Sequence, residues 1–235
     1  MTGAHATDQE DGADRDGGPL ERPRSVGQPW RGLFLVGSLL ALGAVLAVHP
    51  HGGADLYESL APVVNTWLVV HLLLLPLFGL LGVVLYVLLA DFEGLVATIG
   101  RIGVAVYLVA YLAFEAIAGI ATGLLIRTAQ DLPAEQQAGV AASLEATVTD
   151  PVVGALALTG SLGAIVATVA LGILLRRSGA PLVPVALLVG VPLVVGHGGG
   201  YVDAVGAAML AISVGWLEFG WQHGRRSVAA QPATR

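Results

Sequence analysis

The side chains best able to bind a metal or move a proton are six histidines and a few carboxylates in apolar surroundings; there is no cysteine. Thiolate metal sites, disulfides and cysteine nucleophiles are therefore excluded. His49-Pro50-His51, with Asp55 and Glu58 close behind, has the ligand types that suit Zn²⁺ or Cu²⁺. The proline bends that loop, and two solvated loop histidines are its ordinary alternative reading. His71 lies in "TWLVVHLLLLP", with Trp67 one turn earlier. Glu115 lies in "YLVAYLAFEAIAGIATGLLIR", where a charged group facing lipid costs at least a few kcal/mol, so it is expected to face protein or water, or to be protonated. Helical spacing puts Tyr111, Glu115, Gly119 and Thr122 on one face. Gly119 and Gly123 add a G-x-x-x-G pair that favours close helix packing.

Two further candidates, His197 and Asp203, flank "HGGGYVD". His-Gly-Gly-Gly resembles the oxyanion motif of lipases, but that motif needs a G-x-S-x-G nucleophile elbow. The nearest stretch, Gly160-Ser161-Leu162-Gly163, has the wrong spacing. A tight glycine turn between two apolar runs accounts for all three glycines. His197 and Asp203 then sit at an interface where water is available, and neither needs a function to be tolerated.

Depth suggests a partner for Glu115. Counting inward from Val63 at 1.5 Å per residue puts His71 about 12 Å deep, and counting from Ile126 puts Glu115 about 16 Å deep. The expectation is an imidazole–carboxylate pair in the outer half of the bundle. A b-type haem between His71 and His197 is a further alternative, disfavoured because their depths differ by about 10 Å.

The elements that would position these residues are transmembrane helices. Charged residues make up 12% of the 235-residue chain, hydrophobic ones 55%, and mean hydropathy is +0.79; soluble domains carry about 25% charged residues. Six apolar runs read as spans: 32–48, 63–89, 102–126, 152–175, 181–197 and 201–221. Asp150-Pro151 is a good helix start. Arg22, Arg24, Arg31, Arg101, Arg176, Arg177, Arg225 and Arg226 fall on one side of this layout and Arg127 on the other. By the positive-inside rule both termini are cytoplasmic. Trp30, Trp216 and Trp221 mark the inner interface, and Tyr57, Trp67 and Tyr201 the outer one. Arg101, near Asp91 and Glu93, reads as a local ion pair anchoring the third span.

Three domains follow: an acidic tail (1–28) too poor in bulky apolar residues to bury a core, and so expected to be disordered; a six-helix transmembrane domain (29–222); and a cytoplasmic tail (223–235). The long acidic lead is unlike a signal peptide, although Val45-Leu46-Ala47 could pass as a cleavage site. Within the outer loop, Pro133 precedes "AEQQAGVAASLEATV", a short helix expected to lie on the outer surface or cap the bundle. There is no convincing internal repeat of the kind found in many transporters.

Trp67 and His71 opening the second span, Gly100-Arg101-x-Gly103 opening the third, and the His-Gly that ends the fifth together resemble a loose class of uncharacterised six-span bacterial membrane proteins. The resemblance covers roughly residues 60 to 220 and implies the topology without an activity. The fold class expected is thus an all-α integral membrane protein of the cell membrane, with a lipid bilayer rather than nucleic acid as its partner. The functional expectation is an accessory or small-ligand-binding bundle with a polar outer-half cluster. A proton-linked transporter using His71 and Glu115 is one alternative, and a haem- or divalent-metal-binding redox subunit another. No motif requires a cofactor, and no nucleophile–base pattern points to an enzyme.

Overall fold

The computed structural model describes residues 28–196 and 200–221, whose regular structure is entirely helical. The acidic tail, His197 with the next two glycines, and the C-terminal tail lie outside the described residues. The helices are α1 (Gln28–Ala47), α2 (Leu56–Leu60), α3 (Val64–Ala90), α4 (Leu95–Phe114), α5 (Thr122–Ala129), α6 (Ala134–Val148), α7 (Pro151–Arg177), α8 (Leu182–Leu187), α9 (Gly190–Val195) and α10 (Tyr201–Gly215). A 3₁₀ turn (Ala61–Val63) joins α2 to α3, a π-helical segment (Glu115–Ala121) joins α4 to α5, and another (Trp216–Trp221) continues α10. Asp150 caps α7 by accepting the Val152 amide, with Pro151 in the first turn.

Five of these segments are long and apolar enough to cross a membrane: 30–47, 56–90, 95–129, 151–177 and 201–221. The expected fifth span, 181–197, is instead a shorter apolar stretch, Leu182–Val195. It breaks at Leu188 and Val189, where the amides of Leu188, Val189 and Val191 bond three residues back. Pro192 explains the break. It has no amide for the Leu188 carbonyl, and its ring crowds that carbonyl. The stretch runs antiparallel to α10, with the Ser213 hydroxyl donating to the Pro184 carbonyl at 2.6 Å and Gly190 packed on Gly206.

Glycines set the closest helix contacts. A Cβ on Gly103 would stand 2.7 Å from the Gly163 carbonyl oxygen, and one on Gly163 would stand 2.7 Å from both the Gly103 carbonyl oxygen and the Tyr107 amide nitrogen. Backbone meets backbone there, so α4 and α7 pack closer than any side chain would permit. Between the helices lies a continuous core that includes Leu35, Leu42, Leu74, Phe78, Tyr107 and Leu171.

A charged layer closes one end. The Arg31 guanidinium donates to Asp91 at 2.7 Å and to Glu218 at 3.1 Å, with Glu218 buried in the segment after α10. This three-way contact places the start of α1 and the end of α10 at the same end of the bundle. Arg101 does not form the expected pair with Asp91 or Glu93; it donates to the carbonyls of Leu89 and Phe92, because Asp91 is turned to Arg31. The opposite end is stepped. α1 stops at Ala47 and α10 starts at Tyr201, while the paths 56–90 and 95–129 continue beyond them. The overhang carries a second apolar cluster (Tyr57, Leu60, Trp67, Leu68, Ile126 and Leu144 among its members) under α6. The helix expected over 134–148 is present and caps this end. Tyr57 and Trp67, expected at a lipid interface, are buried in this cluster, whereas Tyr201 is exposed.

Replacing Gly163 with leucine should force α4 and α7 apart and destabilise the protein by about 1–3 kcal/mol, the usual cost of overpacking. Gly37 in α1 has nothing near its would-be Cβ, so Gly37→Ala should be neutral or stabilise by up to about 1 kcal/mol. Thermal unfolding in detergent checks both. A Gly163→Leu protein as stable as wild type would remove the close contact.

Candidate functional site

A cavity of about 310 Å³ lies at the step, lined by His49, His51, Trp67, His71, Glu115 and Gly119 among others. It is assembled from three parts of the chain. α3 contributes Trp67 and His71, four residues apart and so on one face. The π-helical segment contributes Glu115 and Gly119. The turn that leaves α1 contributes His49 and His51.

Trp67 organises the site. Its indole N–H donates to the Gly119 carbonyl at 2.7 Å, its own carbonyl oxygen lies 2.9 Å from His71 Nδ1, and its ring stacks on His71 at 4.1 Å with 31° between planes. A carbonyl can only accept, so His71 Nδ1 carries the proton and a neutral His71 presents a lone pair at Nε2. That nitrogen faces His49 Nε2 at 3.3 Å. Gly119 provides the seat for the ring, since a Cβ there would fall 1.9 Å from His71 Cδ2. The wider π-helical turn delivers this glycine and its carbonyl to α3; such turns concentrate at functional sites.

His49 is 8% exposed, while His51 stands exposed where the cavity meets the surface. Burial above all, then the neighbouring rings of His71 and His51, lowers the His49 pKa to about 4. It is therefore neutral near pH 7. His51 packs against Gly200, whose φ of +55° and lack of a Cβ allow the approach. His71 and Glu115 form the buried floor, at 2% and 1% exposure.

Of the candidates read from the sequence, His49, His51, His71 and Glu115 share this cavity. His71 and Glu115 line it together, as their expected association requires, but the ring facing His71 Nε2 is that of His49. Tyr111 and Thr122 are buried beside it without lining it: Tyr111 donates to the Val195 carbonyl at 3.2 Å and Thr122 to the Ile117 carbonyl at 3.4 Å. Asp203, expected at a wet interface, is 4% exposed in the first turn of α10. His197 lies outside the described residues, as do Gly198 and Gly199 of the expected glycine turn. A haem ligated by His71 Nε2 would have to displace the His49 ring that faces that nitrogen. The depths counted from Val63 and Ile126 also shift in meaning, since both reference points belong to the capping overhang. Measured from the other end, His49 lies about 27 Å from Arg31, about 24 Å of it along α1 to Ala47 and the rest in the turn beyond, and His71 lies about 30 Å along α3 from Asp91.

Sequence reasoning missed Trp67 as a donor, Gly119 as the seat for the ring and the pairing of His49 with His71. The Trp67/His71 spacing was a visible signal; the π-helical segment had none. The fold and site together define a helical bundle with several potential membrane spans and one capped, histidine-lined cavity. No protein-family model, curated protein or solved structure matches the chain.

Trp67→Phe keeps the aromatic stack but leaves the buried Gly119 carbonyl without its indole donor. Because that carbonyl keeps the Thr122 amide, the change should cost about 0.5–1.5 kcal/mol, read as a lower unfolding temperature in detergent. An unchanged temperature would mean that this hydrogen bond does not hold the site together.

Proposed function

We propose that the protein is a multi-pass protein of the cell membrane that holds a small polar ligand in the cavity at its extracytoplasmic face. The observation that carries this reading is the level of the cavity. His49 and His71 sit about 27–30 Å from the arginine layer, close to the roughly 30 Å thickness of a bilayer's hydrocarbon core. With Arg31, Arg101, Arg176 and Arg177 at the cytoplasmic face, the histidines reach the opposite boundary, and α6 stands in the aqueous phase beyond. Leu182–Val195 completes a sixth, short crossing; at 1.5 Å per residue it covers about 21 Å. Both ends of the chain then face the cytoplasm, and the binding role is that of an accessory protein.

Beneath the cavity Leu74, Phe78, Leu81, Tyr107 and Tyr111 are all at most 1% exposed. This dense layer favours binding from one side over proton-linked transport through the bundle, although His71 and Glu115 remain the residues such transport would use.

The absence of cysteine makes single-cysteine labelling direct. In intact cells, Gln136→Cys in α6 and Ala118→Cys in the cavity wall should react with a membrane-impermeant thiol reagent. Glu93→Cys, between α3 and α4, should react only after lysis. If Ala118→Cys stays unreactive from both sides while Gln136→Cys reacts, the cavity is closed to ligands. Reaction of Glu93→Cys but not Gln136→Cys in intact cells would invert the orientation.

A further inference from the structure

The ligand class follows from how the two buried imidazoles meet. We propose that the cavity is a binding site for a borderline divalent transition-metal ion, Zn²⁺ or Cu²⁺, with His49 Nε2 and His71 Nε2 as its protein ligands. This rests on the ligand-binding reading above and names the ligand.

Geometry supports it first. A Zn²⁺–imidazole bond is about 2.0–2.1 Å, so two ligands on a tetrahedral ion stand about 3.3 Å apart. The two Nε2 atoms are 3.3 Å apart, the separation that such a pair of ligands requires. The two nitrogens are in contact with each other, and an ion bound between them takes the place of any proton held there.

Orientation supports it second. A metal-binding histidine commonly donates its other ring N–H to a carbonyl or carboxylate, which fixes the tautomer and the ring plane. His71 does this through Nδ1 and the Trp67 carbonyl. Trp67 is itself held by Gly119, and the His49 ring packs against the edge of Trp67 at 5.2 Å.

The remaining positions define the kind of site. Among the described residues no three metal-ligating side chains are already gathered round one point. His51, its ring 6.1 Å from that of His49, and Glu115 line the same cavity. With two imidazoles bound, the other positions open onto the cavity and take water, the exposed His51 or a group brought by a partner. Such a site suits capture or delivery of the ion better than a closed structural role. Imidazole donors without thiolate favour Zn²⁺, Cu²⁺ or Ni²⁺ over Ca²⁺ and Mg²⁺.

The test uses the full-length protein in detergent, stripped with a chelator and titrated with Zn²⁺ by calorimetry, with Co²⁺ as a spectroscopic probe. Expected are one Zn²⁺ per chain with Kd below about 10 µM and the intense visible bands of four-coordinate Co²⁺. His49→Gln and His71→Gln should each weaken binding about tenfold or more, and Trp67→Phe should weaken it by loosening His71. Weak octahedral Co²⁺ bands, no binding by the wild type, or binding unaffected in both folded glutamine variants would overturn the metal site. The cobalt spectrum needs no variant and decides the matter even if the substitutions fail to fold. Labelling of Ala118→Cys separates the two readings. If the residue reacts from outside and Zn²⁺ does not bind, the cavity stands and the metal falls; protection by Zn²⁺ supports both.

Discussion

The indole of Trp67 on the carbonyl of Gly119 is the contact on which the site depends. A carbonyl has two lone pairs, and that of Gly119 accepts the Thr122 amide of its own path as well as the Trp67 indole from α3. Trp67 also accepts from His71 through its own carbonyl and covers the imidazole with its ring. One side chain thus stabilises an irregular turn, ties α3 to its neighbour and fixes which nitrogen of His71 faces the cavity.

Around this contact the bundle is organised by close backbone approach rather than by large apolar side chains. Gly103 against Gly163 and Gly190 against Gly206 bring helix pairs together where any side chain would intervene. Lipid tails are as apolar as leucine, so burial gives little drive for helix association in a bilayer and close packing becomes correspondingly important. The charged layer at the other end has a different role. Arg31 keeps the buried Glu218 paired and joins the first and last long helices, which closes the bundle at the level where α3 also ends.

The step in helix length creates the cavity. If every helix ended at one level, His49 and His51 would leave α1 into solvent and His71 would be covered by packing. Because α1 and α10 stop short while α3 and the α4–α5 path continue, the turn after α1 folds against the sides of the longer helices. The overhang is then roofed by α6 through Leu144 and its neighbours. Both buried imidazoles and a route to the surface occur together at this ledge.

Much of the architecture was legible in the sequence, for reasons of solvation. Long apolar runs have to become helices that satisfy their own backbone, Asp150-Pro151 marked the start of α7, and Pro133 preceded α6. The fifth run was legible as apolar but not in its shape, because hydropathy records how apolar Leu182–Val195 is, but not that Pro192 breaks its hydrogen-bond ladder. The site was legible as a set of residues: His49, His51, His71 and Glu115 stood out because polar groups are costly among apolar ones. Their mutual arrangement was decided only in three dimensions. Depth counted along one helix assumes that all helices begin at the same level, and in this bundle they do not. Sequence therefore determined which groups must find polar surroundings, while helix length, the π-helical register and the space left by Gly119 decided that His71 would meet His49.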